Sequence, residues 1–255
     1  MRRRFFTDKF GAKSAVLRGD TAEHLGRVLR AEPGQLYELS DGERVWLARI
    51  EKVSLSKRSG HQIEFILVEE IEQQQPALQI QLLMSVVKFD RLEWCLEKAT
   101  ELGVTEVVLL AAARSDKALL AAAGKRRARW DKILSESAQQ SRRIRPPILR
   151  TAQEGMRGAG AHRPIHPKEA FAQAGAACKL VMSERRDAKL MRDALSVYAE
   201  PTASLAIGPE GGWTDDELDA ARASGFAEVS LGQNILRTET AVLAALAILG
   251  FTLGD

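Results

Sequence analysis

Apolar and polar residues alternate from residue 35 to residue 71, as they do in β-strands with one buried face. The dipeptide Asp41-Gly42 within this stretch is typical of a tight hairpin turn. Before it, apolar residues with helical spacing predict a short helix over 24–34, which Gly34 ends after Pro33. We therefore expect a small β-barrel with one helix. The alternating apolar positions are Trp46, Ala48 and Ile50, followed by Ile63, Phe65 and Leu67.

Downstream of the polar segment 72–76, short apolar runs alternate with stretches of helical periodicity. This change predicts a domain boundary, with a first domain over 1–72 and a second over 77–255. Strands that alternate with helices form a mainly parallel sheet with helices on both faces. Thr214 and Glu217 have the spacing of a capping box at a helix start. We expect strands over 78–87, 104–110, 179–184, 204–208 and 228–232, and helices over 89–102, 130–138, 190–198, 215–224 and 238–250. The last of these helices is apolar nearly all round and is therefore expected to be buried.

The composition is that of a globular protein. The chain has 255 residues, of which 45% are hydrophobic and 28% are charged. No apolar run reaches the length of a membrane span, and the first ten residues lack the apolar core of a signal peptide. We therefore expect a cytoplasmic protein without a membrane partner. Cys95 and Cys178 lie in apolar stretches and are expected to be buried thiols, so neither a disulfide nor a metal site is predicted.

The net charge is only +3, but the basic residues are unevenly distributed. Residues 1–30 contain eight Lys and Arg against three Asp and Glu, and residues 114–150 contain eleven against three. Such a concentration suits a surface that binds RNA phosphates, although a basic solvated surface without a ligand explains it equally well. The residues that we predict to contact RNA are Arg3, Arg4, Arg27, Arg30, Arg142 and Arg143 in these two segments, and Lys88 outside them.

Two loops that follow late predicted strands have the features of a ligand site. GPEGGW (208–213) and GQNILRTET (232–240) both start where a strand ends, and ligands of open α/β sheets bind at that edge. The glycines of the first loop allow the main chain to approach a ligand closely, although alone this loop could be an ordinary Gly-Pro turn. It has neither the Gly-Lys-Ser/Thr of a P-loop nor the glycine spacing of a dinucleotide fingerprint. A nucleoside-shaped cofactor held by the backbone of both loops fits this pattern.

Five segments in register carry a resemblance to a known family. IGPEGGWTDDEL (207–218) and LGQNILRTETAVLAAL (231–246) resemble the two signature motifs of the 16S ribosomal RNA uridine-N3 methyltransferases of the SPOUT superfamily. The chain departs from the usual pattern at Trp213-Thr214, where Phe-Ser is more common, and at Leu109-Leu110-Ala111, where an Ile-x-Pro triplet is more common. The other matching segments are RRFF (3–6) with HLGRVLR (24–30), KFDRLEWCLEKATELGV (88–104) and RWDKILSESAQQSRR (129–143).

The resemblance implies a PUA-like RNA-binding β-barrel followed by a SPOUT α/β domain whose C-terminal part is tied in a trefoil knot. Rules of chain topology alone would give an unknotted sheet. The resemblance also implies a homodimer, S-adenosylmethionine (SAM) as the cofactor, and small-subunit ribosomal RNA or the assembled small ribosomal subunit as the partner. The implied cofactor contacts are Ile207, Gly208, Glu210, Gly211, Gly212, Leu231, Gly232, Ile235, Leu236 and Thr240.

Methylation of uracil N3 requires a base that is unpaired and that loses a proton during the reaction. Arg237 is the predicted catalytic residue that stabilises negative charge on the uracil oxygens. Glu239 or Glu210 would accept the proton, although Glu239 could instead interact only with the positive end of its helix. Two alternatives remain open, a ribose 2′-O-methyltransferase of the same superfamily and a non-catalytic RNA-binding factor of ribosome assembly.

Overall fold

A computed structural model of the protein describes residues 3–8, 10–56, 60–73, 76–152 and 162–254. The chain divides into two compact units. The first unit consists of Met1–Gln75 and Ala138–Pro146, and the second of Pro76–Ser137 and Pro147–Asp255. The segment Ala138–Pro146 thus belongs to the first unit, although it is far downstream of it in the sequence. Gln74 and Gln75 of the predicted linker lie outside the described residues.

One curled sheet forms the first unit. Its strands are β1 (Arg4–Phe6), β2 (Ser14–Arg18), β3 (Leu36–Ser40), β4 (Val45–Ser56) and β5 (Gly60–Ile71). The strand order is β1-β3-β4-β5-β2, and only the β1-β3 pair is parallel among these described strands. The Thr7 hydroxyl, just beyond β1, donates to the Val16 carbonyl of β2 over 3.2 Å, so the two edges approach each other. The predicted barrel is therefore a half-barrel, since β1 and β2 form no ladder with each other in the described part of the chain.

The inward face of β4 changes where its pairing with β5 is irregular. Trp46, Ala48 and Ile50 are predicted to share the inward face, but the pairing of β4 with β5 shifts between Leu47 and Ala48. Val45 and Leu47 are buried before the bulge, Ala48 and Ile50 are buried after it, and Trp46 is half-buried. Leu47 pairs with Glu69 and Ala48 with Leu67, so the extra residue at this bulge is Val68 of β5, and the sequence pattern alone does not reveal the irregularity.

The helix of the first unit begins and ends earlier than predicted. α1 (Gly19–Glu23) continues into one wide helical turn over His24–Val28, and the helical backbone does not extend to Gly34. Ala22 and Leu25 are fully buried in the apolar cluster of the sheet. Because one alanine supplies the buried side chain of α1, the sequence before His24 lacks an apolar helical pattern.

The second unit contains the alternating strands and helices that the sequence predicts, with ends that differ by a few residues. Its strands are β6 (Gln79–Ser85), β7 (Val104–Leu110), β8 (Ile148–Arg150), β9 (Cys178–Met182), β10 (Lys189–Leu190), β11 (Thr202–Ile207) and β12 (Ala227–Ser230). The helices that start in it are α2 (Phe89–Glu101), α3 (Lys117–Ala123), α4 (Arg127–Gln140), α5 (Pro167–Gln173), α6 (Met191–Leu195), α7 (Asp215–Ala223) and α8 (Thr238–Leu253). The short elements β8, β10, α3 and α5 are additional to the prediction.

All neighbouring strands of the second sheet are parallel, in the order β10-β12-β9-β11-β6-β7-β8. Leu82 and Leu205 belong to an apolar cluster with residues of α2 and α8, whereas Leu83 and Val181 belong to another with residues of α5 and α7. Successive side chains of a strand point to opposite faces, so the two clusters lie on the two faces of the sheet. The predicted parallel sheet with helices on both faces is confirmed.

The last helix, α8, is only half-buried in this chain, and the expectation that it is buried all round is wrong. Val242, Leu246 and Leu249 are fully buried, but Phe251 is 87% exposed and Ala247 is also exposed. The sheet and α2 cover one side of the helix, and the other side keeps apolar residues in solvent. None of the helices that the structure describes is long and apolar enough to cross a membrane.

Glu217 fixes the start of α7 and joins it to a neighbouring loop. The predicted capping box is confirmed, since the Thr214 hydroxyl accepts from the Glu217 N–H and the Glu217 Oε2 accepts from the Thr214 N–H over 2.9 Å. The Glu217 Oε1 also accepts the backbone N–H of Ala113, beyond β7, over 2.8 Å. The residue is only 6% exposed. Loss of one of these donors would leave part of a buried carboxylate without a hydrogen bond and away from water. Such a loss would lower the free energy of unfolding.

Trp213 anchors the same loop on its other side. Its indole N–H donates to the Met182 carbonyl at the end of β9 over 3.0 Å, and its ring contacts Phe171 edge to face, with the centroids 5.8 Å apart. The loop between β11 and α7 is therefore held to the end of β9 by Trp213 and to the loop after β7 by Glu217.

We expect the substitution Glu217→Gln to lower the free energy of unfolding by about 1 to 3 kcal/mol. The donors of Thr214 and Ala113 now use both carboxylate oxygens, whereas an amide offers only one acceptor oxygen. Urea unfolding followed by circular dichroism measures the change. Asp216→Asn is the matched control, since it removes one charge from the same exposed first turn of α7. Equal losses of stability in both variants would show that Glu217 acts only through its charge near the helix start.

Candidate active site

Three loops at the carboxyl edge of the second sheet enclose a cavity of about 530 Å³. They follow the adjacent strands β12, β9 and β11 and include residues 231–237, 183–185 and 208–213. Ligands of open α/β sheets bind at this edge, and the volume lies within the range of ligand pockets. The two loops that the sequence singles out are thus brought together, and a third loop lies between them.

Eight of the ten predicted cofactor contacts line this cavity, namely Ile207, Gly208, Glu210, Gly212, Leu231, Gly232, Ile235 and Leu236. The other two lie elsewhere. Gly211 contacts the side chain of Arg114, because a Cβ at position 211 would lie 3.2 Å from the Arg114 Cβ. Thr240 is exposed on α8.

Two glycines of the 208–213 loop have a steric reason for their identity. Gly212 has a φ of 70°, in the left-handed region, and a Cβ there would lie 3.1 Å from the Glu184 Oε1. A Cβ at Gly208 would lie 3.0 Å from the indole nitrogen of Trp213. The wall of the cavity is therefore main chain at both positions, with no space for a side chain between the loop and its neighbours.

Most charged groups on the cavity wall are already engaged. Arg91 forms an ion pair with Glu210, and Arg185 forms one with Asp215. Arg114 donates through its Nη1 to the carbonyl oxygens of Gly211 and Trp213, over 2.9 and 3.1 Å. The arginine side chains thus stabilise the shape of the 208–213 loop.

Several lining residues are not among the predicted contacts, some within the two glycine-containing loops and others outside them. These residues are Arg91, Arg114, Met182, Ser183, Glu184, Arg185, Trp213, Asp215, Leu218, Ser230, Gln233, Asn234, Thr238 and Ala241, together with Pro209. One signal could have found the 183–185 group. Because all strands of a parallel sheet end at the same edge, the end of the predicted strand 179–184 belongs beside the other two loops.

The structure separates the predicted catalytic residues. Arg237 lines the cavity with an exposed side chain, and no hydrogen bond or ion pair joins its guanidinium to another described residue. Glu239 is outside the cavity lining, and its buried Oε2 has no hydrogen-bond partner among the described residues. Burial raises the pKa of the Cys95 thiol to about 12, and the nearby charge of Glu239 adds to this rise. Glu239 therefore faces the apolar core near α2, whereas Glu210 lies on the cavity with Arg91.

Among the predicted RNA contacts, Arg4 has a structural role within the first unit. It is 4% exposed, its Nε and Nη2 donate to the Glu38 Oε2 over 3.1 and 3.0 Å, and its Nη1 donates to the Arg142 carbonyl. The Ser40 hydroxyl donates to the Ile144 carbonyl, so the segment Ala138–Pro146 is bound to β1 through Arg4 and to β3 through Ser40. The expectation that Arg4 is available to RNA is therefore wrong, since all three nitrogen atoms of its guanidinium group donate hydrogen bonds to Glu38 and Arg142.

The other predicted RNA contacts differ in exposure. Arg3, Arg27 and Arg30 are exposed in the first unit, and Arg27 pairs with Glu23 over 2.8 Å. Lys88 is exposed in the second unit, immediately before α2. Arg142 and Arg143 are half-buried, and burial lowers the pKa of Arg143 to about 10, with a further contribution from the charge of Arg145.

Comparison with known proteins gives consistent matches. The family described as RNA methyltransferase domain matches residues 73–250. The chain is 32% identical to ribosomal RNA small subunit methyltransferase E of Synechocystis sp. over 227 residues, which covers 88% of this chain and 68% of that protein. It is 26% identical to the protein of the same name from Aquifex aeolicus over 249 residues, which covers 96% and 97% of the two chains.

Solved structures match along the whole chain. Ribosomal RNA small subunit methyltransferase E of Neisseria gonorrhoeae, determined with bound SAM, is 32% identical with a TM-score of 0.81, over 100% of this chain and 99% of that one. A methyltransferase of Legionella pneumophila in complex with SAM is 28% identical with a TM-score of 0.82, over the same shares of the two chains. From the sequence matches, the fold and the position of the cavity together, we conclude that the chain belongs to the RNA methyltransferase family that includes the ribosomal RNA small subunit methyltransferases E.

Proposed function

We propose that this protein is a SAM-dependent methyltransferase that methylates N3 of a uridine in 16S ribosomal RNA of the small ribosomal subunit. The observation that carries the proposal is the cavity in which both motif loops meet, with eight of the ten expected cofactor contacts on its wall. The SAM complexes of the Neisseria and Legionella relatives support it, because their similarity extends over the complete chain.

The cavity suits SAM in size and in surface. Gly208 and Gly212 keep the wall free of side chains, so the main chain is accessible to an adenosine-sized ligand. Ile207, Leu218 and Leu231 add apolar surface. SAM supplies a methyl group activated by a positively charged sulfur.

Uracil N3 carries a proton at neutral pH, so the reaction needs a proton acceptor and a donor that stabilises charge on the uracil oxygens. In this proposal Arg237 is the donor, because its exposed guanidinium lies on the cavity and is not engaged by another described residue. Glu210 accepts the proton, and its ion pair with Arg91 holds the carboxylate in place. Glu239 is left out of this step, since it lies outside the cavity lining and its Oε2 is buried.

RNA binding is assigned to exposed basic residues. Arg3, Arg27 and Arg30 contact RNA from the first unit, which we take to be PUA-like. Lys88 contacts RNA from the second unit. Arg4 contributes indirectly, because it holds the segment Ala138–Pro146 in place. Either free small-subunit RNA or the assembled subunit is the partner, in the cytoplasm.

Two further properties follow from the resemblance to the SPOUT superfamily. The first is a trefoil knot in the C-terminal part of the chain. The second is a homodimer. Ile235 and Phe251 are large apolar side chains that are 77% and 87% exposed, and a second subunit would cover such side chains.

The direct test is methylation of 16S ribosomal RNA with isotope-labelled SAM, followed by digestion to nucleosides. We expect labelled N3-methyluridine. Comparison of free RNA with assembled subunits identifies which of the two is the substrate. A labelled 2′-O-methylnucleoside would support the ribose methyltransferase instead. Binding of RNA without any methylation of either substrate would support an assembly factor.

Gly212→Val is expected to abolish SAM binding and to leave RNA affinity largely unchanged. The branched side chain would meet the Glu184 carboxylate and would require a left-handed backbone that valine disfavours by about 1 to 2 kcal/mol. Isothermal titration calorimetry measures the SAM affinity. Gly225→Val is the matched control, because Gly225 also has a left-handed φ, of 83°, but has open space around it and lies outside the cavity lining. SAM affinity equal to the wild type in a folded Gly212→Val protein contradicts the proposed site.

Arg237→Lys should keep SAM and RNA binding while the turnover rate falls by about 10² to 10³, as in the loss of one oxyanion donor. The lysine retains the charge but not the planar pair of donors. Raising the pH should restore part of the rate, because more of the uracil is already deprotonated. A pH–rate profile with a melting curve provides the measurement, and Arg192→Lys, at an exposed position outside the cavity lining, is the control. A destabilised variant without recovery at high pH would indicate a structural role for Arg237.

A further inference from the structure

Glu184 lies on the middle one of the three loops that enclose the cavity. It follows β9, and β9 lies between β11 and β12, whose loops contain the two sequence motifs. Its Oε1 lies 3.1 Å from the position that a Cβ of Gly212 would take. The Glu184 carboxylate is therefore packed against the main chain at Gly212.

The charge of Glu184 is not neutralised within the described part of the protein. Glu210 is paired with Arg91 and Asp215 with Arg185, whereas no hydrogen bond or ion pair joins the Glu184 carboxylate to another described residue. Arg185, the next residue on the same loop, is the partner of Asp215, and Arg114, on the loop after β7, uses its Nη1 for the carbonyl oxygens of Gly211 and Trp213. An unpaired carboxylate on a cavity wall attracts a cationic ligand.

We propose that the Glu184 carboxylate is the counter-charge for the cationic methionine end of SAM and so contributes to selection of the methyl donor. The inference rests on the proposed function. SAM carries two positive groups, the sulfonium and the ammonium. The reaction product S-adenosylhomocysteine keeps only the ammonium, and 5′-methylthioadenosine has neither. A negative charge at Glu184 therefore strengthens the binding of ligands that carry positive groups at this end. The adenosine part, which all three ligands share, is held by other contacts.

The test is calorimetric titration of wild-type protein and the Glu184→Gln variant with SAM, S-adenosylhomocysteine and 5′-methylthioadenosine. We expect SAM affinity to fall about tenfold in the variant, which corresponds to about 1.4 kcal/mol. The affinity for 5′-methylthioadenosine should change less than about twofold, since the contact is one of charge. A loss of S-adenosylhomocysteine affinity equal to that of SAM assigns the contact to the ammonium, and a loss confined to SAM assigns it to the sulfonium. Both results support the proposal.

Glutamine keeps the shape of the side chain, and the exposed position of Glu184 favours a folded variant. Glu200→Gln, which removes the same charge from an exposed residue outside the cavity lining, is the matched control. Higher salt should weaken SAM binding to the wild type more than to Glu184→Gln. Unchanged SAM affinity in Glu184→Gln overturns the inference, as does an equal loss for 5′-methylthioadenosine. Failure of the wild type to bind SAM would instead refute the proposed function itself.

Discussion

The buried carboxylate of Glu217 is the interaction on which the candidate site most depends. One oxygen accepts two donors of Thr214, and the other accepts the backbone N–H of Ala113 in a different loop. Together with the indole of Trp213, it connects the loop after β11 to the loops on both sides of it. A glycine-rich segment has high conformational entropy when it is free, so these connections are what allow it to form one defined wall of a cavity.

The rigid wall explains why charges are distributed as they are around the cavity. Arg114 donates to two carbonyl oxygens of the wall, and Arg91 and Arg185 each engage an acidic side chain. These three arginine side chains therefore hold groups on or beside the cavity wall in place. The groups left without a described partner are Arg237 on one loop and Glu184 on another, one of each sign. Such a pair suits a site that must hold a cationic cofactor and stabilise an anionic substrate.

Arginine residues with similar sequence surroundings have different roles in this protein. Arg3 and Arg4 are neighbours, yet Arg3 is exposed and Arg4 is buried with Glu38 and with the carbonyl of Arg142, 138 positions away. Breaking such a buried pair leaves an uncompensated charge, so a substitution of Arg4 would affect stability before it affected RNA binding. The basic stretch near residue 142 likewise has a structural part, because its main chain receives the Arg4 and Ser40 donors.

The sequence by itself determined the features that depend on neighbours within a few positions. These include the alternation of strands and helices after residue 76, the capping box of Thr214 and Glu217, and the two glycine loops at strand ends. Periodicity and turn chemistry are local, so they can be recognised without a partner. Resemblance of five segments added the family, which local physics does not contain.

Only the tertiary structure decided which residues meet across long sequence distances. It placed Glu184 between the two motif loops, turned Glu239 towards Cys95 and away from the cavity, and buried Arg4. It also introduced the bulge in the pairing of β4 with β5, where the inward face of β4 changes, and left one side of α8 exposed. Each of these outcomes depends on a contact between distant parts of the chain, and the identity of a residue does not reveal whether its partner is solvent, another side chain or the backbone of a remote loop.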